Sequence, residues 1–136
     1  PVRPLLLPCD AMARRDANPL EELEQFALSL PEAWLDTPWD ERAVKVGKKV
    51  FVFLSRPDAD RPVLTVKLPE SRDHALSYPE AFPTRYGLGK YGWVTIYPDR
   101  IPVEEQDVLA DFVEESYRAV ATKTLVKRLD AELGSA

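Results

Sequence analysis

Three stretches of this chain alternate apolar and polar side chains, and that alternation constrains its fold more than any other feature. They are Arg42–Val46, Pro62–Leu68 and Gly92–Tyr97. A period of two is that of a strand with one face buried and one face outward. A fourth segment, Val50–Ser55, is rich in β-branched and aromatic residues. Gly47-Lys48 between the first two segments predicts a tight hairpin turn, and Arg56–Arg61 predicts a polar turn before the third. Short links favour antiparallel pairing.

Helical signals flank these strands. Asn18-Pro19-Leu20-Glu21 combines an N-cap, a proline at the first helical position and a capping-box glutamate. Leu20, Leu23, Phe26, Ala27 and Leu30 follow at helical spacing, and Pro31 stops them, so a helix is expected over about 19–30. A short helix is expected at about 70–78 and a short strand near 86–88. A last helix, from near Val103, carries an apolar stripe from Val108 to Ala121. Its Glu104, Glu105 and Asp107 suit the positive end of the helix dipole, and Lys123, Lys127 and Arg128 the negative end. The order reads α-β-β-β-α-β-β-α: an α+β fold, a two-layer sandwich with a mainly antiparallel sheet and helices on one face. Residues 18–130 read as a single domain. Residues 1–17 read as an N-terminal tail, in which Met12 is a candidate start, and 131–136 as a C-terminal tail.

Alternation sorts the sheet into two sides. Val44, Val46, Leu64, Val66, Val94 and Ile96 are expected to face the helices. Lys45, Thr65, Lys67, Trp93, Thr95 and Tyr97 are expected on the other face. Lysines beside flat rings suit a nucleic acid, the ammonium groups neutralising phosphate and the rings stacking bases. They suit a protein partner equally well. The candidate binding set is Lys45, Lys49, Lys67, Lys90, Trp93 and Tyr97.

Charge bears on the same question. The 136-residue chain carries a net −5, which opposes nonspecific nucleic-acid binding. The charges are segregated, however. Residues 42–93 hold ten Lys/Arg against five Asp/Glu, and the flanks hold eight against eighteen. A basic centre lies between acidic flanks.

No catalytic, metal or cofactor set is expected. One histidine, His74, and one cysteine, Cys9, cannot make a zinc site. A lone cysteine forms no internal disulfide and fits a reducing cytoplasm. His74 is expected to be exposed. Ser116 lacks a nearby base and a nucleophile elbow, and Tyr117 falls on the core stripe. Glu114-Glu115 reads as a solvated face. Gly87-x-Gly89 lacks the context of a dinucleotide loop and reads as a tight, mobile turn. Trp34 and Trp39, around Pro38, are expected to staple the connection from the first helix to the first strand. No apolar run is long enough to span a membrane.

Several segments together resemble a known family. They are Leu30-Pro31, Val46–Phe51, Val63–Lys67, Tyr86–Thr95 and Glu115-Ser116-Tyr117-Arg118. Over about 19–123 the chain resembles the MmcQ/YjbR family of small bacterial proteins. The resemblance implies an α-β(3)-α-β(2)-α fold and a DNA-binding role. It puts Lys49, Lys67, Lys90 and Trp93 at recurrent Lys and Trp positions, and Ser116-Tyr117 at a recurrent Ser-Tyr pair. Gly87 and Gly89 depart from the family's pattern, in which polar residues such as His and Asn are frequent there. Whatever chemistry those groups supply is missing from this chain.

Overall fold

The computed structural model of the chain describes residues 19–37, 42–55, 59–85 and 87–134. The expected tail at 1–17 with Met12 and Cys9, the Asn18 cap, Pro38 and Trp39, residues 56–58 of the polar turn, and Tyr86 lie outside the described residues.

The first helix, α1 (Pro19–Leu28), buries Leu20, Leu23 and Ala27. The next three strands form a meander: β1 (Ala33–Asp36), β2 (Arg42–Val46) and β3 (Lys49–Leu54). β4 (Leu64–Lys67) joins β3, and β6 (Trp93–Ile96) joins β4. β5 (Phe82–Pro83) closes the far edge, so the order is β1-β2-β3-β4-β6-β5, antiparallel throughout. A two-residue edge strand containing proline offers little for another chain to pair with. α2 (Arg72–Leu76), α3 (Val108–Val120) and α4 (Lys123–Gly134) complete the fold. α1 packs against β1–β3 and α3, α2 against β6, and α3 against β3 and β4. All six residues expected to face the helices are buried.

Four details depart from the sequence expectation. β1 is an additional strand, and its Trp34 Nε1–H donates to the Gly47 carbonyl at 3.0 Å. That bond ties the edge strand to the hairpin turn, where Gly47 adopts φ 63°. No strand forms at 87–88. The edge strand there is Phe82–Pro83, and Gly89–Tyr91 is a 3-10 turn. The last helix is two. Ala121 turns extended (ψ 158°), and the Thr122 hydroxyl accepts the Leu125 N–H at 3.3 Å to start α4. α4 then runs through 131–134, where the sequence suggests a tail, and buries Leu129. Upstream, Val103–Glu105 is a separate 3-10 turn before α3.

α3 organises the core through polar groups as well as its stripe. The β2–β3 register slips between Val44 and Lys45, so Phe51 has no partner on β2 and turns inward. Its ring meets Tyr117 edge-on, with centroids 5.2 Å apart. Where the β3–β4 ladder ends, the fully buried Ser116 hydroxyl takes its place. Ser116 Oγ accepts the Lys67 N–H at 2.8 Å and donates to the Phe51 carbonyl. Two backbone groups that burial would leave orphaned are thereby satisfied. Tyr117 is buried beside it and donates its hydroxyl to the Pro31 carbonyl at 2.8 Å. Burial raises the Tyr117 pKa. Among the described residues, no helix is long and apolar enough to cross a membrane.

Candidate nucleic-acid interface

The strand registers bring the basic centre of the sequence to two opposite ends of the sheet. At one end lie the start of β2, the end of β3, the start of β4 and the end of β6. Among the described residues, the cations there are committed. Arg42 makes a bidentate pair with Glu24 of α1, its Nη2 2.6 Å from Oε2. Arg61 bonds Asp99 (2.6 Å) and Glu80 (3.1 Å), and Glu80 also takes Arg100 at 3.0 Å. Asp99 and then Glu80 raise the Arg61 pKa, and Arg61 in turn holds Glu80 below the usual carboxylate range.

The other end gathers the β2–β3 turn, the end of β4, the start of α2 and the turn before β6. It carries Lys48, Lys49, Lys67, Arg72 and Lys90, and none of these five makes an ion pair among the described residues. Lys67 stands directly opposite Trp93 across the β4–β6 pair. Arg72 and Lys90 line a shallow groove with Leu68, Pro69 and the Gly89–Gly92 turn. Glu70 and Asp73 lie exposed on the α2 side of this group.

The turn bearing Lys90 is tightly wired. Gly89 N–H donates to the Thr84 carbonyl at 2.8 Å, Gly92 N–H to the Gly89 carbonyl at 3.0 Å, and Leu68 N–H to the Gly92 carbonyl at 2.8 Å. Gly89 is buried, and a Cβ there would lie 2.7 Å from Pro83 Cβ. Close packing accounts for this glycine.

The six candidate residues therefore divide. Lys49, Lys67, Lys90 and Trp93 come together at the unpaired end. Lys45 does not join them. Its Nζ lies 2.7 Å from Asp36, whose carboxyl it holds below its ordinary value, and 5.3 Å from the Trp34 ring centroid. Tyr97 lies toward the paired end with Arg61 stacked 4.0 Å over its ring. The face opposite the helices is not open throughout. Thr95, only 7% exposed, links Thr65 (3.2 Å) and Thr84 (3.0 Å) through their hydroxyls, and Trp93 leans on Phe53.

Glu114 and Glu115 do not form a solvated face. Glu114 pairs with Arg118, which also reaches Asp130 on α4. Glu115 accepts the Glu70 and Ser71 N–H groups, both at 2.9 Å, and the Ser71 hydroxyl at 2.6 Å. It thus satisfies the backbone at the start of α2, the element that carries Arg72. His74 is exposed and lies 3.2 Å from the Tyr78 hydroxyl, which donates to Glu105 at 2.9 Å.

Each member of the Glu115-Ser116-Tyr117-Arg118 run thus has a folding contact. The YjbR family model matches residues 28–119, from the last residue of α1 to the penultimate residue of α3. The chain belongs to the YjbR family. No curated protein matches it. Within the matched span of this YjbR domain lie Lys48, Lys49, Lys67, Arg72 and Lys90, while α4 falls outside it. Sequence reasoning missed Lys48 and Arg72. Both stand in the basic centre, and Arg72 was hidden because the closure of α2 onto the sheet end depends on Glu115, over forty residues away.

Proposed function

We propose that this YjbR-family chain acts by binding rather than catalysis, and that its ligand is a nucleic acid engaged at the Lys48–Lys49–Lys67–Arg72–Lys90 end of the sheet. One observation carries the reading: these five cations gather at one end of the sheet without carboxylate partners, whereas Arg42, Lys45, Arg61, Arg100, Arg118 and Arg128 all have them. Unpaired ammonium and guanidinium groups on adjoining elements are what a phosphate chain needs, and they offset the unfavourable net charge locally. Ser116 has both its hydrogen bonds committed to backbone inside the core, which supports a non-catalytic role.

The test is fluorescence anisotropy of labelled oligonucleotides at about 50 mM and about 150 mM salt. Binding is expected at the lower salt, weakening as salt rises and falling on joint Lys67→Ala and Lys90→Ala substitution. Absence of binding even at the lower salt would reject the reading. A second reading, an acidic protein partner on the same end, draws on the exposed Trp34 ring (43%) beside the hairpin turn. It gains ground if oligonucleotides fail and an acidic partner co-purifies in a manner that the same two substitutions abolish.

A further inference from the structure

Most of the rings around the sheet are already engaged. Trp93 rests on Phe53 with centroids 5.8 Å apart, Tyr97 lies beneath Arg61, and Trp34 beneath Lys45. Tyr91 differs in exposure. It is 62% exposed against 43% for Trp34, and it sits in the 3-10 turn next to Lys90, whose ammonium lies 5.3 Å from its ring centroid. Its backbone is nevertheless fixed, since Tyr91 N–H donates to the Leu88 carbonyl at 2.9 Å within the wired turn. An exposed ring on a rigid base loses little freedom when it binds. Beside it runs the groove flanked by Arg72 and Lys90 over Leu68 and Pro69.

The geometry points to Tyr91 as a stacking platform for one unpaired base of a single-stranded nucleic acid, whose neighbouring phosphate lies between Lys90 and Arg72. This rests on the nucleic-acid reading above and narrows it. Charge complementarity selects a polyanion, and the ring selects one that can present the flat face of a base. A duplex keeps those faces stacked inside itself, whereas a single strand offers them at every nucleotide. The recognition is sequence-tolerant, because each base has such a face.

The experiment compares the full chain with Tyr91→Ala, Tyr91→Phe and the joint Lys67→Ala, Lys90→Ala variant. The probes are a labelled oligodeoxythymidylate of about twelve nucleotides and a mixed-sequence duplex of equal length. The expected result is tighter binding of the single strand than of the duplex. Tyr91→Ala is then expected to weaken the single strand about ten-fold with the salt slope unchanged. Tyr91→Phe, which keeps the ring, is expected to bind as the parent does. The lysine variant is expected to lower the slope for both probes. If the single strand binds and Tyr91→Ala leaves its affinity unchanged, or if the duplex binds as tightly, the stacking inference fails and the nucleic-acid reading survives. If neither probe binds at low salt, both fail.

Discussion

The two ends of the sheet start from the same material and use it differently. Arg42, Arg61 and Arg100 at one end are closed by Glu24, Asp99 and Glu80. Lys48, Lys49, Lys67, Arg72 and Lys90 at the other have no such partners. The side-chain types differ in keeping with this. The closed end uses planar guanidinium groups, of which Arg42 and Arg61 grip carboxylates in two-point contacts, and the other end is mostly point-charged lysine. Where a charge is paired within the fold it serves the fold, and only the unpaired set is available to a ligand.

The comparison can be sharpened, and the largest effect is expected in binding. Joint replacement of Lys49, Lys67 and Lys90 by alanine removes three phosphate-neutralising charges. Oligonucleotide affinity at low salt is expected to fall at least about ten-fold, with a flatter salt dependence measured by anisotropy. The folded state is expected to be nearly unchanged, because no ion pair is lost and the Lys90–Tyr91 contact is solvent-exposed.

Next comes Ser116, which shows that the polar groups beneath the same end belong to the fold. Ser116→Ala leaves the Phe51 carbonyl and the Lys67 N–H unpaired in the core. Urea denaturation is expected to show a loss of about 2–3 kcal/mol, with oligonucleotide affinity retained by the folded protein. Tyr117→Phe, which removes only the bond to the Pro31 carbonyl, is expected to cost about 1 kcal/mol.

These positions also mark what the sequence made legible. The Val44, Val66, Val94 and Ile96 alternation and the Leu109–Tyr117 stripe are local periodic signals, and they located the core. Lys49, Lys67 and Lys90 were found because strand ends can be read from Gly47, Pro69 and Gly92. Contacts across long sequence separations were not legible. Nothing near Lys45 announces Asp36, since β1 is a four-residue edge strand between prolines 31 and 38. Arg61 meets Glu80 and Asp99 across 19 and 38 residues, so the capture of Tyr97 by Arg61 was invisible. The division of the last helix was hidden for another reason. The apolar stripe runs up to the break, and Thr122 is a modest signal beside it.

The smallest effects belong to the exposed pairs. Asp36 and Glu80 have pKa values depressed by Lys45 and Arg61. Their stabilisation is present above the unfolded carboxylate values and is lost as pH falls through the lower folded ones. Acid unfolding monitored by circular dichroism is expected to shift slightly toward neutral pH on Lys45→Ala, and less so at high salt, because such solvent-exposed pairs are screened.

The central claim is that binding follows the unpaired charges and not charge in general. The most direct measurement is the salt dependence of oligonucleotide anisotropy for the parent chain, for Lys67→Ala with Lys90→Ala, and for Arg61→Ala with Arg100→Ala. Each variant removes two positive charges from one end of the sheet. The account expects weaker affinity and a smaller salt slope only in the lysine variant. An equal loss in both variants, or a loss in the arginine variant alone, would contradict it.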